Sequence, residues 1–359
     1  MELQYKPDFE QCMKRVDAFW DCQIVDRALV AIPPIQVRTP RALPEVKYPD
    51  IRDRWLDIDR QIDGFEASAE SCDWVGECFP RFWPNLGPEV CATAFGCDLN
   101  FAEHTSWSIP VAKDIRDVPG MKPNLDSFYW NQLRRYTAEA YRRGHGKWLT
   151  TVADLHTNTD LLASLRDPQN LALDYGLDPE GVRQATEYVK PLFDLFYDDL
   201  YQILKDEPAN CTWGMCIARG KMYYVSCDFI CMISPKDFRE TTLPCIAYEC
   251  SRLERSIFHL DGPGALRHLD DLLALKDLDG IQWTYGAGKG PARNWIDVYK
   301  RVQAAGKCME IHIYDNDDVK AIMENLRPNG VWMLMPRAMG RDEADNLIRD
   351  MERWAAGKK

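Results

Sequence analysis

The final third of the chain repeats a single unit, which leaves few folds open to it. Ser256-Ile-Phe-His-Leu-Asp-Gly262 is an apolar run ending in His259 and Asp261, broken at once by Gly262-Pro-Gly264. Leu278-Asp-Gly-Ile-Gln-Trp283 follows, with a Gly-rich turn (Gly286, Gly288, Gly290) and a helix-length segment over 294–305. Lys307-Cys-Met-Glu-Ile-His-Ile-Tyr314 leads into 315–326, and Gly330-Val-Trp-Met-Leu-Met335 into 342–355. Buried strands alternating with amphipathic helices at this spacing are βα units. In such units the polar residues at the carboxyl ends of strands reach a shared pocket. His259, Asp261, Gln282, Glu310 and His312 all fall there.

The same alternation extends upstream to about residue 100. Strands are predicted over 107–112 and 148–153, the second tipped by Asp154-Leu-His156 with Asn158 and Asp160 behind it. Segments 212–217 and 222–226 pair naturally as a hairpin across Ala218-Arg-Gly-Lys221. Helices are predicted over 125–143, 179–204 and 238–255. About seven strand candidates alternating with helices indicate an α/β fold, a (β/α)8 TIM-type barrel spanning 101–359. Residues 1–100 form a mostly helical N-terminal extension packing on it, with an amphipathic helix over 8–20 and a charged one over 51–66. The aromatic stretch 74–86, including Trp83, covers a pocket or packs the extension onto the core.

Composition narrows the function classes. A net charge of −12 lacks the basic face that nucleic acid or an anionic membrane requires. No run of 18 apolar residues is present to span a bilayer, and the N-terminus shows no apolar signal region. Thirteen cysteines, an odd number with many inside apolar runs, fit reduced thiols in a cytoplasmic protein better than a disulfide framework.

Three of the six histidines (His156, His259 and His312) stand at predicted strand ends beside carboxylates. That pairing suits metal ligation or proton transfer, because the carboxylate orients the ring; a hydrogen-bonded strand-end residue is the other reading. His259 and Asp261 share one side of their strand, as do Glu310 and His312, and the four make a mixed N/O set of the kind zinc accepts. Cys308 lies on the face of Glu310 as a candidate thiolate. Asp154, Asp160 and Asp228 are candidate acids or bases, with helix capping the other role for Asp160. Gln282 and Trp283 put an amide and a large ring at the barrel mouth to orient a ligand, joined by Trp83 and Tyr224. Gly286-Ala-Gly-Lys-Gly290 departs from phosphate-binding patterns and is a tight βα turn.

Ile233-Ser-Pro-Lys-Asp-Phe-Arg239, Phe258-His-Leu-Asp-Gly262, Leu278-Asp-Gly-Ile-Gln-Trp283 and Ala304-Ala-Gly-Lys307 resemble, in order and spacing, the uroporphyrinogen decarboxylase superfamily. Within it they look like the corrinoid-linked methyltransferase branch, as do Ala18-Phe-Trp-Asp21 and Phe82-Trp-Pro-Asn-Leu-Gly87; the likeness covers about residues 105–355. The resemblance implies a barrel whose cleft lies at the carboxyl ends of the strands. It also implies zinc activation of a thiol, or methyl transfer to and from a corrinoid carrier protein. The family's zinc motif is His-x-Cys with a later Cys; here His259 matches, Asp261 stands for the first cysteine, and Met335-Pro336 occupies the place of the second. Harder ligands (His259, Asp261, Glu310, His312), or no metal, fit these residues better than a thiolate site.

Two activities follow. One is a methyltransferase moving a methyl group from a small methylated substrate, such as an aryl methyl ether or methylamine, to a corrinoid protein. In it His156, Asp228, His259 and Asp261 are catalytic, with Glu310 a further acid/base candidate. The other is a decarboxylase or lyase working by His/Asp acid–base chemistry without corrinoid; a binding protein that kept the barrel and lost the chemistry is a third. The chain lacks the Asp-x-His-x-x-Gly cobalamin signature, so any corrinoid arrives on a partner. The partners are then a small molecule, a corrinoid protein and, for a homodimer, a second copy of the chain.

Overall fold

The computed structural model describes residues 3–357. Its principal strands are β1 (Leu29–Ala31), β2 (Arg81–Phe82), β3 (Leu149–Thr150), β4 (Met222–Ser226), β5 (Arg255–Asp261), β6 (Gly280–Thr284), β7 (Cys308–His312) and β8 (Val331–Leu334). Six of them form one sheet in the order β1-β8-β7-β6-β5-β4, every neighbouring pair parallel. β2 and β3 pair with each other, also parallel. The fold is therefore α/β around a central parallel sheet, with helices between successive strands.

The strands carry apolar residues on both sides because both sides are covered; all five residues of β4 are buried. On one side Tyr224, Ile257, Cys308 and Trp332 pack with the helix Phe9–Trp20, whose Phe9, Met13, Val16 and Phe19 are fully buried. On the other, Val225, Phe258, Ile281 and Met309 pack against the connecting helices. The register aligns Ser226, His259, Gln282, Glu310 and Trp332 in one row across five strands. Polar and aromatic side chains thus run along the face whose lower part is apolar.

Several local elements differ from expectation. The helix predicted over 179–204 is two, Pro179–Val189 and Leu192–Leu204, because Pro191 offers no N–H to continue the first. The helix over 238–255 is likewise divided into Pro235–Glu240 and Thr242–Ser251. Only Ser106–Ser108 of the strand over 107–112 forms, in an antiparallel pair with Leu99–Phe101. The hairpin of 212–217 with 222–226 is absent: β4 pairs with β5, and the upstream segment meets β4 through the Tyr224 side chain, whose OH takes the Cys216 N–H at 2.7 Å, with no strand ladder. Two contacts explain this. The buried Arg81 guanidinium takes the carbonyls of Thr212 and Gly214, and a Cβ at Gly214 would lie 2.1 Å from the Tyr224 ring. The segment is held against a side chain instead of a strand.

The first hundred residues contribute β1 to the central sheet as well as the expected helices. A buried ion pair secures that strand: Arg27 donates to both oxygens of Glu77 at 2.6 and 2.7 Å, and Glu77 accepts from Val30 N at 3.1 Å. The Glu77 N–H in turn donates to Val30 O at 2.8 Å. All thirteen cysteines are free thiols, and among the described residues no helix is long and apolar enough to cross a membrane. Arg27→Met leaves the buried Glu77 carboxylate to the Val30 N–H and to Arg15 at 3.5 Å, and a loss of about 1 to 3 kcal/mol in unfolding free energy is expected from urea titration.

Candidate functional site

At the carboxyl ends of β4 and β5 and the segment after β3 lies a cleft of about 400 Å³ lined by Trp83, Pro88, Asp154, His156, Trp213, Ser226, Asp228 and His259. It is assembled by a few specific contacts. Asp160, buried, accepts from the backbone N–H groups of Asp228 (2.9 Å) and Phe229 (3.0 Å), so it caps the short helical turn after β4 and aims Asp228 at the cleft. Asn158, in the left-handed region at φ +51°, donates to Ser226 O at 2.9 Å and ties the His156 turn to the same strand end. Tyr223 OH takes Leu155 N–H at 2.6 Å. Trp213 stands edge-on to His259, ring centres 4.8 Å apart.

The His259 ring is oriented from beneath. Gln282 Nε2 donates to Glu310 Oε1 at 2.5 Å, and a carboxylate only accepts, so the amide oxygen of Gln282 faces His259 Nδ1, also at 2.5 Å. The neutral His259 ring therefore carries its proton on Nδ1 and presents Nε2 as its acceptor. Glu310 is fully buried and engaged by Tyr224 OH, Cys216 N and Cys216 Sγ besides Gln282. His312 approaches it at 3.6 Å.

Asp228, His259 and Asp261 are the group of possible metal ligands found among the described residues, with one ligand atom from each lying within 4.8 Å of the others. At the usual 2.0–2.2 Å bond lengths two ligands of one ion would stand no more than about 4 Å apart, so the exposed Asp228 and Asp261 side chains would have to turn in slightly to hold one. Two carboxylates and an imidazole suit zinc or another divalent ion of intermediate hardness.

The second feature of the cleft is a set of perturbed acids. Burial works against the His156 imidazolium, but Asp160 (Nδ1–Oδ2 3.9 Å), Asp154 and Asp228 outweigh it and raise its pKa above the ordinary histidine value. Asp154 is raised by burial and by the negative charge of Asp228, against the pull of His156, and its Oδ1 is buried without a partner. Asp228 is raised by desolvation and by Asp160. The cleft thus holds proton donors beside a lone-pair nitrogen, between indole walls.

Of the residues singled out in the sequence, Trp83, His156, Asp228 and His259 meet in this cleft, with Asp261 beside them. Gln282, Glu310 and Tyr224 lie below it as a buried network that holds His259. Glu310 and His312 do not join the ligand group, because β6 stands between β5 and β7 and interposes Gln282. Cys308 is also remote, its Sγ 2.9 Å from the Phe19 carbonyl. Trp283 is turned to the helix-facing side, where it is 1% exposed and packs edge-on against Trp295 at 5.1 Å. It does not line this cleft, since a strand residue next to Gln282 must point the opposite way. Sequence reasoning missed Trp213, which follows no periodic pattern.

A buried carboxyl braces the His156 turn. Glu249, on Thr242–Ser251, accepts from Thr157 Oγ1 (2.7 Å) and Asn158 Nδ2, and burial pushes its pKa to about 8. The native state then keeps a proton that the unfolded chain releases above about 4.5, so the stability from this group is full below that value and is lost as pH rises to about 8. In Glu249→Gln that dependence should flatten. The difference in unfolding free energy between wild type and variant, measured by denaturant titration, should slope by about 1.4 kcal/mol per pH unit across the window.

No protein-family model matches the chain, and no curated protein sequence matches it.

Proposed function

We propose that this chain is a uroporphyrinogen decarboxylase-like methyltransferase that removes a methyl group from a small aryl methyl ether and delivers it to a corrinoid carried by a partner protein. The observation that carries the reading is His156, whose hold on a proton is strengthened by Asp160, Asp154 and Asp228, inside a cleft walled by Trp83 and Trp213. Transfer of methyl from an aryl ether leaves an aryloxide, a poor leaving group unless its oxygen receives a proton or a Lewis acid as the C–O bond breaks. His156 supplies the proton and takes another from solvent at the cleft mouth after product leaves, while the Asp154 charge favours its imidazolium form. The two indoles offer flat apolar walls to a ring, and about 400 Å³ accommodates one small aromatic molecule. A methylated ammonium needs no leaving-group proton, so the acid favours the ether.

Asp228, His259 and Asp261 are the residues to hold a divalent ion, zinc being the first choice for this donor set. Such an ion would supply Lewis acidity toward the ether oxygen. His259 presents Nε2 because Gln282 and Glu310 keep its proton on Nδ1. The Asp261 that replaces the family's cysteine makes this a site for an oxygen ligand, and Asp228 contributes from β4 what the family takes from a distant thiol.

The reading extends to the architecture. The six-stranded order places β1 beside β8, and the bonds from Glu77 N to Val30 O and from Leu155 N to Tyr223 OH run from the central sheet to the segments that carry β2 and β3. Six parallel strands in that order, with β2 and β3 parallel to each other at its margin, support the reading of a (β/α)8 barrel with the cleft at its carboxyl end.

The barrel lyase without corrinoid rests on the same proton donors and is separated by assay. A purified chain that consumes an aryl methyl ether only when a corrinoid protein is added, forming methylcobalamin absorbance, supports the proposal; turnover of a carboxylic acid without any carrier replaces it. His156→Gln should lower turnover about 10² to 10⁴-fold with folding intact. Metal analysis should find about one divalent ion per chain, lost in His259→Ala, and Gln282→Leu should weaken its affinity about 10- to 100-fold. Absence of metal from wild type removes the ligand assignment and leaves His156 as the acid.

A further inference from the structure

At the other end of the sheet from the cleft, two thiols far apart in sequence meet. Cys22 follows the helix Phe9–Trp20 and Cys308 opens β7; their sulfurs are 3.6 Å apart across a separation of 286 residues. The geometry is built. Cys22 sits at φ +51°, a conformation an L residue seldom takes, which turns its side chain back under the helix. Gly330, at φ +66°, leaves the space the sulfurs occupy: a Cβ there would lie 3.0 Å from Cys22 Sγ and 3.6 Å from Cys308 Sγ. Asn329 Nδ2 donates to Cys22 O at 3.2 Å and holds the turn in place. Cys308 is buried, whereas Cys22 is half-buried and open to a small reagent.

We propose that Cys22 and Cys308 form a dithiol site that a peroxide-class oxidant converts to a disulfide, stapling the helix Phe9–Trp20 to β7. The Cys22 thiolate attacks the peroxide O–O bond, forming a sulfenic acid and releasing water once the leaving oxygen is protonated. Cys308 then attacks the Cys22 sulfur, forming the S–S bond and expelling the sulfenic oxygen as a second water. Two thiols and one peroxide become one disulfide and two waters, each sulfur giving up one electron. The electrostatics agree with the order of attack. The hydrogen bond from Cys308 lowers the Cys22 pKa to about 7, and Arg327 contributes to the same effect. Cys308 is raised well above the ordinary thiol value, first by its contact with Cys22 and then by burial, so it acts as the resolving thiol. Closure brings the sulfurs from 3.6 Å to the covalent distance of about 2.05 Å.

The test is peptide mapping of the full reduced chain after hydrogen peroxide, with remaining thiols alkylated before digestion. The expected result is a Cys22–Cys308 linked peptide, two fewer alkylated cysteines than the thirteen of the reduced chain, and reversal by dithiothreitol. Closing a 286-residue loop should also speed migration on a non-reducing denaturing gel. Cys22→Ser, conservative at a half-buried position, should abolish both signs, and in Cys308→Ala the oxidation should stop at a Cys22 sulfenic acid trapped by dimedone. Oxidation of Cys22 to sulfinic acid with Cys308 still alkylatable, or the same loss of thiols in Cys22→Ser, would overturn the proposal.

Discussion

A carboxylate buried with no lysine or arginine beside it sets the terms for the cleft above it. Glu310 is sealed from solvent, and beyond the His312 ring at 3.6 Å its oxygens are met by neutral hydrogen-bond donors. Tyr224 from β4, Gln282 from β6 and the Cys216 N–H and thiol supply them. Each donor is thereby committed. Gln282 has no freedom to flip, and its carbonyl oxygen is left facing the one strand that remains, β5. The direction of a single amide thus passes from a buried acid to His259, and with it the choice of which nitrogen meets the cleft. Unpaired, Glu310 would cost several kcal/mol, which is why the network is rigid and not merely present.

The same row explains how the chain combines a dry interior with a wet site. Along β5 the inward positions run Ile257, His259, Asp261, from fully buried to half-buried to exposed. Two residues of strand advance about 6.6 Å, enough to cross from core to cleft in one step of the alternation. The base of the row is held by the helix Phe9–Trp20, whose Phe19 stacks edge-on with Trp332 at 5.4 Å. Its top is held by Asp160 and Asn158, which bind backbone from the neighbouring strand end. Rigid elements below and capped turns above are what keep the cleft side chains in register.

Much of this was legible in the sequence, for reasons that can be stated. The βα alternation predicted the parallel sheet, because a buried parallel strand must be apolar on both faces and a helix must follow it. Period 2 placed His259 and Asp261 together, and they stand together. The same rule, applied strictly, would have turned Trp283 away from Gln282, and the structure does so. What period cannot give is which strands are neighbours. Glu310 and His312 share a face with His259, but β6 intervenes, while Asp228 comes from β4, the direct neighbour of β5. Asp228 was visible as an acid; its place among the ligands became visible only with the strand order. Trp213 lies in an irregular segment held by Arg81, and no spacing rule reaches it.

The N-terminal hundred residues show where composition misleads. Their helices and proline-rich link suggest an appendage, yet Leu29–Ala31 lies beside β8, the last strand of the chain. The apolar run from Ala28 to Ile32 is legible as a strand, but not the partner it joins, which is decided by tertiary contacts: Glu77 fixes the Val30 N–H, and Lys6, fully buried, donates to the carbonyls of Trp74 and Gly76. Each buried charge here is matched by carboxylate or carbonyl oxygens brought from some 50 to 70 residues away. Such pairs gain little over an apolar contact of the same size, but they reject any register in which a charge is left alone. The short strand is held in place by the cost of its alternatives, and the sheet that carries the cleft begins from it.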